Sequence, residues 1–159
     1  MKVFVVKDYD ALSRKTAEIV VDQIRRKPDT IFCLPAGGSP IGMYKVLVDM
    51  YQQHEVDFSR LITFDMDEYV GIGPRDENSY AYFMQKHFLK YVNVDPKNVH
   101  YPDGLAEDID EMCRLYSEQI FAMGGLDIAI TGIGDDGHVA FNEPGDAFYP
   151  RTQDRKSVV

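Results

Sequence analysis

Three short stretches of this chain hold residue types that could move protons or hold an anion. Residues 132–144, GIGDDGHVAFNEP, place Asp136, His138 and Glu143 in one Gly-rich run. An imidazole flanked by carboxylates is a working acid/base group near neutral pH. Residues 64–69, FDMDEY, carry Asp65, Asp67 and Glu68 within four positions. A carboxylate at a strand end can act as general base toward a carbon-bound proton. Residues 35–40, PAGGSP, have the composition of a tight strand-to-helix turn. There Gly37 and Gly38 permit close backbone approach, Ser39 can cap, and Pro40 fits the first helical position. Free N–H groups at such a terminus bind phosphate.

Each stretch has a competing reading. GIGDDG satisfies the G-x-G-x-x-G pattern of dinucleotide turns, but Asp135 and Asp136 would repel a pyrophosphate. Pro144 and Gly145 also stand where that pattern needs a helix. The pair Asp65 and Asp67 has the spacing of a magnesium-dependent phosphohydrolase loop, although Glu68-Tyr69 replaces the Gly-Thr that such loops carry next. One histidine with mixed acids is not a specific metal-ligand set, so no metal is expected. Cys33 and Cys113 lack a CxxC spacing and read as reduced thiols. His54, His87 and His100 have no partner legible in the sequence.

The elements that must position these stretches follow from periodicity. Residues 3–6 read as a strand. A helix capped by Asp8 or Asp10 follows, with Leu12, Ile19, Val20 and Ile24 as its buried stripe, and Pro28-Asp29 stops it. Strands are expected at 30–34, 61–64, 99–101 and 126–131. A helix begins near Pro40 with Met43, Tyr44, Leu47 and Met50 inward. Another is capped by Asn78 and buries Tyr80, Phe83, Met84, Phe88 and Tyr91 as core. A further one runs through Ile109, Met112, Cys113, Tyr116 and Ile120 and is closed by Gly124-Gly125. Strands alternating with helices predict an α/β layer fold with a mainly parallel sheet, whose ligands sit beyond the carboxyl ends of the strands. From Gly145 onward, through Pro150 to Val159, no periodicity is found.

Composition sets outer limits. The chain has 159 residues, 45% apolar and 27% charged, with net charge −9. That suits one soluble domain and argues against nucleic-acid binding, which needs clustered Lys and Arg. No apolar run has membrane-spanning length, so no membrane partner is expected, and a cytoplasmic location is.

LPAGGSP, TFDMDEYVG, ENSYAYFM and GIGDDGHVAFNEPG, in this order, resemble the glucosamine-6-phosphate deaminase (isomerase) family up to about Thr152. The resemblance implies a Rossmann-like three-layer α/β fold and conversion of glucosamine 6-phosphate to fructose 6-phosphate and ammonia without a cofactor. It implies Asp67 as the base that moves a proton between C2 and C1. His138 would open the sugar ring, with Asp136 and Glu143 orienting it. Ala36, Gly37, Gly38, Ser39, Glu68 and Gly132 would contact the substrate, an amino-sugar phosphate. A homo-oligomer is compatible with it. Ala36, Asp65 and Asp135 depart from the residues usual in the family, and Gln153 stands about where some members carry an effector-binding Arg. Family chains continue well past this point with a lid and further basic residues, so residues 1–159 are expected to be one incomplete domain. Galactosamine 6-phosphate as substrate, or sugar-phosphate binding without catalysis, are the alternatives carried forward.

Overall fold

The computed structural model describes residues 2–140, 142–145, 148–149 and 151–154. Four parallel strands form one sheet in the order β3-β2-β1-β4. They are β1 (Ile31–Leu34), β2 (Ile62–Asp65), β3 (Val99–His100) and β4 (Ile128–Ala129). Ile31 pairs with Ile62 and Leu34 with Asp65, so β1 and β2 end together. Successive side chains on a strand point to opposite faces. Phe32 and Leu34 accordingly enter one core with residues of α1 (Tyr9–Arg26), α2 (Ile41–Gln52) and α3 (Tyr80–His87). Ile31 and Phe64 enter a second, smaller core with Tyr116 of α4 (Ile109–Ala122). Helices on both faces of a parallel sheet give the three layers expected.

Local chemistry explains most boundaries. Asp8 caps α1 by accepting from the Ala11 amide, and the helix stops at Lys27, ahead of Pro28. Asp108 caps α4, and Gly124 and Gly125, both at positive φ, end it. The carboxylate of Asp127 bonds Lys27 at 2.6 Å and the Ile31 amide at 2.8 Å, tying the start of β4 to the end of α1.

The structure corrects several expectations. Residues 3–6 form no strand; Val5 is 93% exposed and Phe4 lies under the Lys15 ammonium. Strand propensity alone does not order an unpaired segment. The α1 stripe is Ser13, Ala17, Val20, Val21 and Ile24, while Leu12 and Ile19 are exposed. Ser79, not Asn78, caps α3, because Asn78 is turned into a bond with Asp76. Tyr91 falls in a 3-10 turn and is exposed. The last strand shrinks to Ile128–Ala129, paired among the described residues with Phe32 and Cys33. Phe141, Pro150 and residues 155–159 lie outside the described residues.

Candidate active site

The carboxyl end of β2 leads directly into the acidic stretch. Asp65 closes the strand, 1% exposed, on the same face as Thr63 and Leu34. Neither of its carboxyl oxygens has a hydrogen-bond partner, and burial, with Glu68 and Asp67 nearby, raises its pKa well above the ordinary range. A nucleophile must be reached by its substrate. The Asp65 side chain is almost wholly buried at the floor of the cavity that Asp67 borders, which disfavours it as the nucleophile of a phosphohydrolase.

Asp67 lies one loop residue further on and is only partly buried. Burial, then the charge of Glu68, moves its pKa from 3.8 up to about 6. A carboxylate poised there can take and return a proton near neutral pH. Asp67 borders a cavity of about 600 Å³ between the ends of β1 and β2, helix α4 and the segment after residue 139. Tyr69, Tyr80, Tyr116, Asn142 and Arg151 share that wall. The Tyr116 hydroxyl donates to the Asp65 carbonyl at 2.8 Å, pinning the strand end against α4.

Glu68, expected among the substrate contacts, is engaged inside the protein. It accepts from Ser79 Oγ at 2.7 Å, from the Tyr80 and Ala81 amides at 3.0 Å each, and from the Tyr69 amide at 2.8 Å. The hydroxyls of Tyr69 and Tyr80 then meet at 2.9 Å. Sequence reading placed Tyr80 in the core; it is instead a cavity wall. The Asn78-Ser79 pair, turn and cap chemistry that places Tyr80 at the very start of a helix, was the available signal.

In the stretch 132–144, a tight turn folds back on itself. Gly134 accepts from the Gly137 amide at 2.8 Å and donates to the His138 carbonyl at 2.9 Å. His138 Nδ1 lies 2.6 Å from Asp136 Oδ1. Bonding from His138 holds the Asp136 carboxyl below its ordinary pKa. A Cβ on Gly134 would overlap the imidazole, so glycine is required for the ring to sit there. Val139 and Asn142 pair in an antiparallel bridge, with Ala140 at φ 49° between them. A non-glycine residue held in that region is a strained position of the sort found near sites. Glu143 is exposed in this turn, and Gly132 is exposed at its start.

The third loop is organised from α1. Tyr44 donates to the Pro35 carbonyl at 2.7 Å, fixing where the loop leaves β1. The Tyr9 hydroxyl donates to the Ser39 carbonyl at 2.8 Å and accepts the Gly42 amide at 2.9 Å. Gly37 adopts φ 101°, and nothing lies within 4 Å of a Cβ built on Gly37 or Gly38. Ser39 does not cap α2, since Pro40 occupies the cap with no side-chain bond. The cavity beside Asp67 is lined neither by His138 nor by residues 36–39. Among the described residues, the structure thus brings Asp67 and Glu68 together with Asn142 and Arg151.

His100 has partners the sequence did not reveal: its ring stacks on Phe64 and its Nδ1 is 3.0 Å from Gln119 Nε2. Cys33 and Cys113 are free and buried. Burial pushes the Cys33 thiol up to about 12, so it is inert as a nucleophile.

A parallel sheet with a partly buried carboxylate at a strand end, beside Gly-rich loops, defines an α/β domain of the class whose ligands sit beyond the carboxyl ends of the strands. Residues 7–159 match the model of the family described as glucosamine-6-phosphate isomerases/6-phosphogluconolactonase. The chain belongs to that family. A glucosamine-6-phosphate deaminase of Thermoanaerobacter sp. is 47% identical over 152 residues, 96% of this chain and 60% of the relative. One of Clostridioides difficile is 43% identical, over 96% of this chain and 61% of the relative. A solved monomeric glucosamine-6-phosphate deaminase superposes with a TM-score of 0.89 at 37% identity, over 92% of this chain and 61% of the other. The chain therefore spans about 60% of the length of the curated relatives it matches. No helix among the described residues is long and apolar enough to cross a membrane.

Proposed function

We propose that this chain carries the proton-transfer face of a glucosamine-6-phosphate deaminase of amino-sugar catabolism, acting in the cytoplasm. The reaction adds water to glucosamine 6-phosphate and releases fructose 6-phosphate and ammonia. In this reading Asp67 takes the proton from C2 of the opened sugar and delivers it to C1. His138 moves a proton at the ring oxygen to open the pyranose, with Asp136 and Glu143 orienting its imidazole. Gly37, Gly38 and Ser39 hold the phosphate through backbone amides and a hydroxyl, with Ala36 and Gly132 beside them.

The observation that carries the reading is Asp67 itself. One carboxylate that can reach two adjacent carbons suits a 1,2-proton shift, and a pKa of about 6 lets it both accept and donate. The names of the relatives at 43–47% identity support the substrate. The test is incubation with glucosamine 6-phosphate and measurement of ammonia and fructose 6-phosphate, with galactosamine 6-phosphate in parallel. Product from the gluco substrate is expected; none above a boiled control, at high protein concentration, ends the reading. Calorimetry then shows whether a sugar-phosphate-binding chain without turnover remains.

A further inference from the structure

We infer that Glu68 is a positioning residue for Asp67, its carboxylate tying the loop after β2 to the first turn of α3. The inference rests on the proposed role of Asp67. An ionised carboxylate offers about four acceptor sites. Glu68 fills them from inside the protein: the Tyr69 and Tyr80 amides reach Oε1, and Ser79 Oγ and the Ala81 amide reach Oε2. No lone pair is left to take a sugar hydroxyl. A negative charge at the first turn of a helix is also stabilised by the unpaired amides there.

The consequence for Asp67 is geometric. Asp67 precedes Glu68, so fixing the Glu68 carboxylate to α3 fixes the loop backbone from the next residue onward. The Tyr69–Tyr80 hydroxyl pair at 2.9 Å, with ring centroids 4.8 Å apart, adds a second tie between the same two segments. Residues of one loop are thereby registered against a helix, and a base must be held to within fractions of an ångström. The same carboxylate also acts through its charge, because like charges disfavour ionisation of a neighbour. Other groups whose titration senses the Asp67 charge are Cys33 on β1, Tyr80 on α3 and Tyr116 on α4, and Asp65 at the end of β2. Arg151 and Asp154 line the same cavity.

The test is Glu68→Gln, read by NMR titration of the Asp67 carboxyl carbon and by steady-state kinetics on glucosamine 6-phosphate. The parent chain should titrate near 6 at Asp67. The variant should titrate lower by about half a pH unit or more. Its kcat should drop about tenfold with KM within about twofold, as expected when a base is misplaced and not when binding is lost. An unchanged titration, or a raised KM at unchanged kcat, overturns the inference; the latter would make Glu68 a direct substrate contact. If the parent chain turns over no amino-sugar phosphate, the proposed function fails, while the titration still decides the role of Glu68. Should Glu68→Gln not fold, Ser79→Ala removes one of the four bonds, and the cap bond of α3 with it, but no charge. Amide exchange at Tyr69, on the loop side of the tie and away from the cap, should then quicken several-fold with Asp67 titrating as in the parent, and unchanged exchange there overturns the inference.

Discussion

His138 Nδ1 sits 2.6 Å from Asp136 Oδ1, and the same oxygen accepts the His138 backbone amide at 3.1 Å. One carboxylate oxygen thus fixes both the main chain and the ring of the same histidine. Engaging Nδ1 sets the orientation of the imidazole and which of its nitrogens carries the proton. Asp136→Asn keeps the size and loses the charge that selects this arrangement. Fructose 6-phosphate formation should fall at least about tenfold with little change in melting temperature, since the residue is exposed. Because Asp136 titrates below its ordinary value, this contact should persist on mild acidification and fail only in strong acid.

Asp67→Asn should lower kcat by about 10²–10⁴-fold, the usual contribution of a positioned general base, with substrate affinity by calorimetry largely kept. On the proposed role of Asp67, the base works deprotonated. Activity should therefore rise with pH through about 6, and that acid limb should vanish from the residual activity of the variant. A pH profile of kcat/KM from 4.5 to 8 checks both.

Asp65 and Asp67 hold their protons more tightly in the folded chain than in the unfolded one. Between the ordinary 3.8 and about 6, the folded state binds more protons at Asp67, so stability falls as pH rises through that window. Asp65 extends the fall to higher pH. Replacing it by Asn removes an ionisable group with no partner from the core. At pH 7.5 Asp65→Asn should stabilise the chain by about 1 kcal/mol, or about 3 °C in melting temperature, and the gain should shrink toward pH 5. Thermal unfolding across pH measures it.

Gly42 packs where α1 and α2 meet. A Cβ there would overlap Ser13 Oγ and come within 2.9 Å of the Tyr9 ring. Gly42→Ala should destabilise the chain by about 1–3 kcal/mol despite the better helix propensity of alanine. Urea unfolding reads the loss, and Ser13→Gly in the same chain should recover most of it.

Although the cap at Asp108 was not read, strands β1 to β3, helices α2 and α4, and a cap at Asp8 or Asp10 follow from local chemistry, which the sequence displays. The stretch 3–6 did not, because a strand exists only where a neighbour accepts its hydrogen bonds, and pairing is not a local property. Leu12 and Ile19 fell on the wrong side of α1 because the helix presents Ser13 and Ala17, two small residues, to the close approach of α2. Asp67 was legible as a strand-end carboxylate, and its elevated pKa follows from partial burial beside Glu68. The engagement of Glu68 was not legible. It depends on α3 returning, eleven to thirteen residues later, with three donors aimed at one carboxylate.

The hydroxyl of Tyr9 has a bearing on selectivity. Pro40 carries no amide hydrogen, Ile41 donates weakly to Gly38 at 3.4 Å, and Gly42 donates to Tyr9. An anion arriving at this end of α2 finds the helix proper already answered, and must be met by the turn before it, at Gly37, Gly38 and Ser39. On the proposed phosphate-holding role of this turn, the spacing of those amides is set by a glycine at positive φ, so the fit would be to the shape of one oxyanion and not to negative charge in general. In an acidic protein, that would make discrimination among phosphorylated metabolites a matter of curvature of the main chain, with Tyr9 acting as the stopper that takes the Gly42 amide out of the anion's reach.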